Sequence, residues 1–230
     1  MRIHCLQHED FEHPAYIGEW AAKNGHPITI TRVDKGEAYP DLGDFDMLLV
    51  LGALASVYEE QGKPEVKREM AFIKNVVDEG KKVLGICYGS QLLAASIGGK
   101  AMPNTVREIG WHTVSKTDEG KKSQLLDGLP AEFPVLIWHG DTFTIPPGAI
   151  QALTSPNCTN EAYILEDRVV GLQILPQVTH ANLEEFIEVL GPPEGDGKTI
   201  QSVEIIRSRA DELIPVCNSF LESLLDRLAK

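Results

Sequence analysis

Long apolar runs are missing from this sequence of 230 residues. No stretch approaches the roughly 20 residues that a membrane-spanning helix needs, so a membrane is not an expected partner. The first residues, Met1-Arg2-Ile3-His4-Cys5-Leu6, enter a strand pattern at once and lack the long apolar core of a signal peptide. The expectation is a soluble, cytoplasmic protein. Cysteine is scarce: Cys5, Cys87, Cys158 and Cys217 are widely spaced, with no CxxC pair. That argues against a zinc knuckle or a disulfide framework and fits a reducing compartment. Positive charge is in deficit, with 21 Lys plus Arg against 34 Asp plus Glu and a net charge of −13. No basic tract interrupts the acidic background, so nucleic acid and anionic membrane are not expected partners. Low-complexity tracts and internal repeats are absent as well, and nothing signals a metal or a nucleotide, so no metal and no cofactor is expected.

What is present is a chain long enough to bury a full core, read as one domain over residues 1–230. Residues 2–6 and 27–33 read as strands, and 14–24 as a helix with Ile17, Trp20 and Ala21 on one face. The run Phe45-Asp46-Met47-Leu48-Leu49-Val50-Leu51 is typical of a strand covered on both faces. Residues 65–79 form a helix pattern carrying Met70, Ile73, Val76 and Val77, with Gly80 where a C-cap belongs. Strands alternating with helices at this spacing imply βαβ units and a mainly parallel sheet. From about residue 100 the pattern changes to short strands, at 111–115, 135–138, 150–154, 162–165 and 169–174. These are expected to add core strands and a small antiparallel lobe. A loop is expected over 191–197, then amphipathic helices at 200–213 and 216–228, with Pro215 in the first turn of the second.

The most informative segment is Gly85-Ile86-Cys87-Tyr88-Gly89-Ser90-Gln91. A short apolar strand, Lys82-Val83-Leu84, leads into it, and good helix sequence, Leu92 to Ile97, leads out. Two glycines flank a thiol, so the chain can turn sharply and raise the cysteine onto the tip of a helix. This is the nucleophile-elbow pattern with sulfur in place of oxygen. Nearby backbone N–H groups and the positive end of the helix dipole favour thiolate there.

Gly85-x-Cys87-x-Gly89-x-Gln91, Arg107-Glu108-Ile109-Gly110-Trp111 and Trp138-His139-Gly140-Asp141-Thr142-Phe143 together resemble the class I glutamine amidotransferases, most closely their stand-alone members related to the glutaminase domain of GMP synthase. The resemblance runs from the first strand to about Thr179. It implies a flavodoxin-like, three-layer α/β sandwich with a mostly parallel central sheet and a small antiparallel lobe. It also implies hydrolysis of the glutamine side-chain amide, a hydrolase or transferase chemistry in which Cys87 forms a γ-glutamyl thioester and releases ammonia. By the same resemblance, the Tyr88 N–H and the loop from Gly52 would hold the oxyanion, while Gln91, His139 and Asp141 would line the glutamine pocket. No synthetase segment is apparent, so a separate synthetase or ammonia acceptor is the implied partner, and a homodimer is the base-rate expectation.

Two sites depart from the family pattern. The family carries its catalytic His and Glu in a Gly-x-Gln-Phe-His-Pro-Glu motif. Here the segment is Gly171-Leu172-Gln173-Ile174-Leu175-Pro176-Gln177. The frame persists, but Leu175 stands at the histidine position and Gln177 at the glutamate position. A leucine cannot move a proton, and Gln177 lacks the charge that steadies an imidazolium. The usual Gly-Gly-Pro of the oxyanion loop is Gly52-Ala53-Leu54, where Ala53 carries a Cβ. The expectation is weak or lost glutaminase activity. The alternatives are a pseudo-enzyme that binds a ligand or partner, or a thiol hydrolase of γ-glutamyl compounds. A fourth reading, the cysteine-elbow chaperone and peptidase-like proteins, is opposed by Gln91 and the Trp138–Asp141 stretch. His139, His112 and His180 are the candidates for a substitute base, with His139 best placed.

Overall fold

A computed structural model describes residues 1–195 and 197–230 of the chain. Asp196, within the loop expected at 191–197, lies outside the described residues; its flanks, 191–195 and 197–199, contain no helix or strand.

The first half of the chain alternates strand and helix. It runs β1 (Ile3–Gln7), α1 (Tyr16–Lys23), β2 (Ile28–Arg32), β3 (Met47–Val50), a single helical turn α2 (Val57–Glu60), α3 (Pro64–Asp78), β4 (Lys82–Ile86) and α4 (Tyr88–Ser96). The second half holds β5 (Ala101–Lys116), β6 (Glu132–Phe143), β7 (Ile150–Thr154), β8 (Ala162–Leu165) and β9 (Val169–Leu172). Then come α5 (His180–Leu190), α6 (Val203–Ser208) and α7 (Ala210–Leu228).

All nine strands form one sheet in the order β2-β1-β3-β4-β9-β8-β7-β5-β6. Pairing is parallel from β2 to β9 and antiparallel from β9 to β6. The three-layer α/β architecture is as expected, but the antiparallel strands are continuous with the main sheet rather than set apart as a lobe. β8 causes this by pairing with β9 along its whole length, from Ala162 opposite Leu172 to Leu165 opposite Val169.

Alternation along the buried strands feeds two cores. Met47 and Leu49 of β3 and Leu84 and Ile86 of β4 join Ile17, Trp20, Leu183, Leu213 and Leu221 on one face. Leu48, Val50 and Val83 join Val66, Ile73, Val76 and Leu92 on the other. The 45–51 run is therefore covered on both sides, as a strand in the middle of a parallel sheet must be.

Three features differ from expectation. β5 and β6 are far longer than their apolar stretches, because they pair with each other beyond a register break between Pro103 and Glu108. Helix α5 was not anticipated, although its signals are present. Thr179 is its N-cap and its side chain accepts from the Asn182 N–H at 3.2 Å, and Leu183, Phe186, Ile187 and Leu190 follow helical spacing. Pro215 lies inside α7 rather than at its start, and the chain breaks instead at Arg209, which joins α6 to α7. An interior proline costs about 3 kcal/mol. The α7 face that carries Leu213, Ile214, Cys217, Phe220, Leu221, Leu224 and Leu225 into the core outweighs that, at roughly 1.5–3 kcal/mol for each large apolar side chain buried.

The β4–α4 corner leaves no room for side chains at its two glycines. A Cβ at Gly89 would run into the carbonyl of Val50 in β3, and a Cβ at Gly85 would lie 2.6 Å from the Gly89 carbonyl oxygen. Gly89→Ala is expected to destabilise the protein by about 1–3 kcal/mol through overpacking, whereas Gly43→Ala, which meets open space, should be near neutral. Urea unfolding midpoints of the two variants make the comparison.

Candidate functional site

Cys87 caps α4 with φ 50° and ψ −116°, a left-handed conformation that costs a residue with a Cβ on the order of 1–3 kcal/mol. Four hydrogen bonds hold it there. Its N–H donates to the Leu172 carbonyl at 2.7 Å, and its carbonyl accepts from the Ser90 N–H, the Gln91 N–H and the Ser90 hydroxyl. The turn therefore lifts the thiol to the carboxyl edge of the parallel strands, where such sheets bind ligands. A cavity of about 530 Å³ opens over it.

Most sequence-expected residues gather here: Cys87, Tyr88, Gln91, His139 and Asp141 all line the cavity, together with Ala53 to Ser56 of the expected oxyanion loop. The loop is tied across the mouth by the Ser56 hydroxyl, which donates to Asp141 at 2.6 Å. Gly52 lies behind the lining, pressed so close to the Glu12 carboxyl that a Cβ there would collide with it. Ala53 is not among the residues with positive φ. The strain anticipated from its Cβ is therefore absent, since the loop runs through a backbone conformation open to any residue.

Leu175 and Gln177 do not face solvent. Leu175 is 1% exposed and belongs to the α1/α5/α7-side core, with its N–H donating to the Leu136 carbonyl. Gln177 is buried too, and its Oε1 has no partner among the described residues. The thiol's polar neighbours are instead the Gln173 amide, whose Nε2 lies 3.6 Å from Sγ, and the Trp138 carbonyl at 4.0 Å. Gln91 donates to Gln173 Oε1 at 3.1 Å, which orients that amide. Gln173 can donate to sulfur but cannot accept a proton from it.

No substitute base is in place among the described histidines. His139 Nε2 faces two carboxylates, Glu161 at 3.5 Å and Glu108 at 3.7 Å. His112 is turned toward the Ile109 carbonyl at 3.3 Å, and burial lowers its pKa. His180 opens α5 with its side chain 58% exposed beside Asp211. The expectation that His139 is the best-placed base is corrected by its register. It sits opposite Glu108 in the β5–β6 ladder, and that pairing commits its ring to the carboxylates.

The thiol is also not poised as a thiolate. Burial raises its pKa first, and the carboxylates of Glu12, Asp141 and Glu161 raise it further, while the Tyr88 N–H lowers it. A helix terminus contributes about 0.3–1 kcal/mol, whereas burial of a charged group moves a pKa by up to 3–5 units at 1.36 kcal/mol each. Burial outweighs the helix terminus, so the thiol's pKa lies above its ordinary value, opposite in direction to the expectation.

Sequence reasoning missed several pocket residues. Glu12 lies in an irregular segment after β1 and carries no motif. It is buried, and burial, with Glu9 nearby, pushes its carboxyl up to about 8. Arg107 brings the guanidinium of the Arg107–Trp111 stretch to the cavity, and Phe186 and Leu190 come from α5. The helical spacing of α5 was the readable signal; Glu12 had none.

Two outcomes follow from these environments. Iodoacetamide should modify Cys87 at pH 7 far more slowly than free cysteine, with a rate still rising about tenfold per pH unit toward pH 9; mass spectrometry against Cys87→Ser reads the site, the other three cysteines being buried. The raised Glu12 pKa gives a stabilising contribution complete below its ordinary value of 4.5 and lost as pH rises through about 8. Glu12→Gln should therefore raise Tm at pH 8.5 and leave it nearly unchanged at pH 4.

The chain's likeness to known proteins agrees with this arrangement. Residues 17–188 match the family glutamine amidotransferase class-I. The chain is 30% identical over 192 residues to the glutamine amidotransferase-like protein YfeJ of Salmonella typhimurium, covering 82% of this chain and 80% of that one. It is 36% identical over 141 residues to the glutamine-hydrolysing GMP synthase of Thermomicrobium roseum, 61% of this chain but only 25% of that protein. A glutamine amidotransferase from Thermotoga maritima superposes with a TM-score of 0.89 at 27% identity, over 100% of this chain and 98% of the other. One from Methylobacillus flagellatus gives 0.91 at 28% identity, over 99% and 94%. With the family match running from α1 through α5 and whole-length superposition on amidotransferase structures, the chain belongs to the class-I glutamine amidotransferase family.

Proposed function

We propose that this chain binds glutamine or a γ-glutamyl compound in the cavity above Cys87, and that its canonical glutaminase reaction is weak or lost. The observation that carries this reading is a thiol in the family's pocket whose hydrogen-bonding neighbours are an amide and a carbonyl, with leucine and glutamine at the positions of the family's proton-handling pair.

The pocket suits an amino acid. Arg107 offers a guanidinium to an α-carboxylate, and Asp141 a carboxylate to an α-ammonium. The side-chain amide would then reach the floor, where the Tyr88 N–H would hold a developing oxyanion. Attack by Cys87 on the amide carbon would form the thioester bond as the C–N bond breaks. The departing nitrogen must take up a proton to leave as ammonia, and water then cleaves the thioester. Without a general acid–base, the proton transfers at both steps lose about 10²–10⁴-fold. A γ-glutamyl compound with a better leaving group needs less of that help, which keeps thiol hydrolase chemistry as the second reading. The acceptor of any ammonia made would be a synthetase or a diffusing substrate; the chain spans about a quarter of the length of the GMP synthase it resembles.

Purified protein incubated with glutamine should release ammonia at least about 10²-fold more slowly than a family member with an intact triad, while isothermal titration shows glutamine binding. Rapid turnover abolished by Cys87→Ser would overturn the reading. The double variant Leu175→His, Gln177→Glu should raise the rate. If it folds and does not, the Gly52-Ala53-Leu54 loop is the larger defect.

A further inference from the structure

Behind the pocket wall, four side chains that the proposed chemistry does not use converge in the interior. Glu108, His139, Cys158 and Glu161 are all buried, and one ligand atom from each lies within 4.8 Å of the other three. They come together through tertiary structure. Glu108 and His139 face each other across the β5–β6 ladder, and Cys158 and Glu161 lie in the connection between β7 and β8.

The cluster is short of partners. The two carboxyl side chains are 0% exposed and the His139 side chain 1%. Among the described residues, Glu108 Oε2, both oxygens of Glu161 and both ring nitrogens of His139 lack a hydrogen-bond partner. Buried polar atoms are almost always paired, and an unpaired one costs about 1–3 kcal/mol, more when charged. Five such atoms lie in one place, two of them on a single carboxylate, and a cation between them would satisfy the facing ones.

We propose that these four residues hold one divalent transition-metal ion, zinc by the donor set, as a closed structural centre. One sulfur, one imidazole nitrogen and two carboxylate oxygens match zinc's usual ligands. With bonds of about 2.0–2.3 Å, the edges of a tetrahedral site measure roughly 3.3–3.8 Å. The separations from His139 Nε2 to Glu161 Oε2 and Glu108 Oε2, 3.5 and 3.7 Å, are such edges, too long for strong hydrogen bonds and right for co-ligands. The supporting contacts leave the facing atoms free. Glu108 Oε1 accepts from the Ser155 hydroxyl at 3.0 Å and from Asn157 Nδ2 at 3.2 Å, so Oε2 is available. The Cys158 thiol lies 3.4 Å from the Thr142 hydroxyl and 3.5 Å from the Asn160 carbonyl; once its proton has gone, the Thr142 hydroxyl, which otherwise donates to that carbonyl at 3.1 Å, can turn to the thiolate.

The charges balance simply. The ion replaces the Cys158 proton, which passes to solvent, and two carboxylates, one thiolate and a neutral imidazole around a 2+ ion leave a net charge of −1. The centre would brace the ligand pocket. Glu108 lies between Arg107 and Ile109, and His139 between Trp138 and Gly140, and all four neighbours line the cavity. The proposal stands whether or not the pocket turns over glutamine.

The test uses the full chain, stripped with a chelator and titrated with Co²⁺ as spectroscopic probe and with Zn²⁺. The expected result is one equivalent per chain, a thiolate-to-cobalt charge-transfer band, and a Tm that climbs with free Zn²⁺. Cys158→Ser should remove the charge-transfer band. Glu161→Gln keeps the shape and removes a buried charge, so the stripped variant should melt no lower than the stripped parent, yet bind about tenfold or more weakly. Absence of the charge-transfer band, or Zn²⁺ binding and a Tm response unchanged in Glu161→Gln, would overturn the proposal. If Cys158→Ser does not fold, Glu161→Gln decides alone.

Discussion

The close crossing of β4 and α4 against β3 governs the rest of the site. Gly85 and Gly89 remove the two Cβ atoms that would hold helix and strands apart, and the chain between them has no relaxed path left. Cys87 takes the strained conformation that results, and the strain persists because Leu172, Ser90 and Gln91 hold both its backbone groups. Tyr163 locks the same corner from the next strands, its hydroxyl donating to the Ser90 carbonyl at 2.9 Å. An elbow so over-determined keeps the sulfur in its place whatever side chains surround it.

The second theme is acidic groups kept inside. Burial opposes ionisation of the thiol first, and Asp141 from the pocket side and Glu161 from behind oppose it further, joined by Glu12 as pH passes its raised value of about 8. A family enzyme would offset such a field with an imidazole beside the sulfur. Here Leu175 has joined the hydrophobic core, where a buried leucine contributes about 1.5–3 kcal/mol of stability and nothing to proton transfer.

Much of this was legible in the chain. The run 45–51, the alternation of strand and helix up to residue 96, and the two short strands at 150–154 and 162–165 are local patterns, set by which side chains must be buried. The elbow was equally readable, because glycine spacing and a change of period from strand to helix are local features. The frame of Gly171, Gln173 and Pro176 could be read too, because its spacing is a local feature. Helix α5 is equally local in its signals, with Thr179 as N-cap and Leu183, Phe186 and Ile187 at helical spacing.

What the sequence by itself determined was the identity of the elements and the position of one nucleophile among them. Tertiary structure alone decided its chemistry. Whether Cys87 ionises depends on Glu12, Asp141 and Glu161, far apart in sequence. Whether His139 can serve as a base depends on a strand register that sets it opposite Glu108. Periodicity reports whether a side chain points inward, but not which other inward side chains it will meet. Desolvation and Coulomb energies depend on that meeting, through distances that only the folded chain defines.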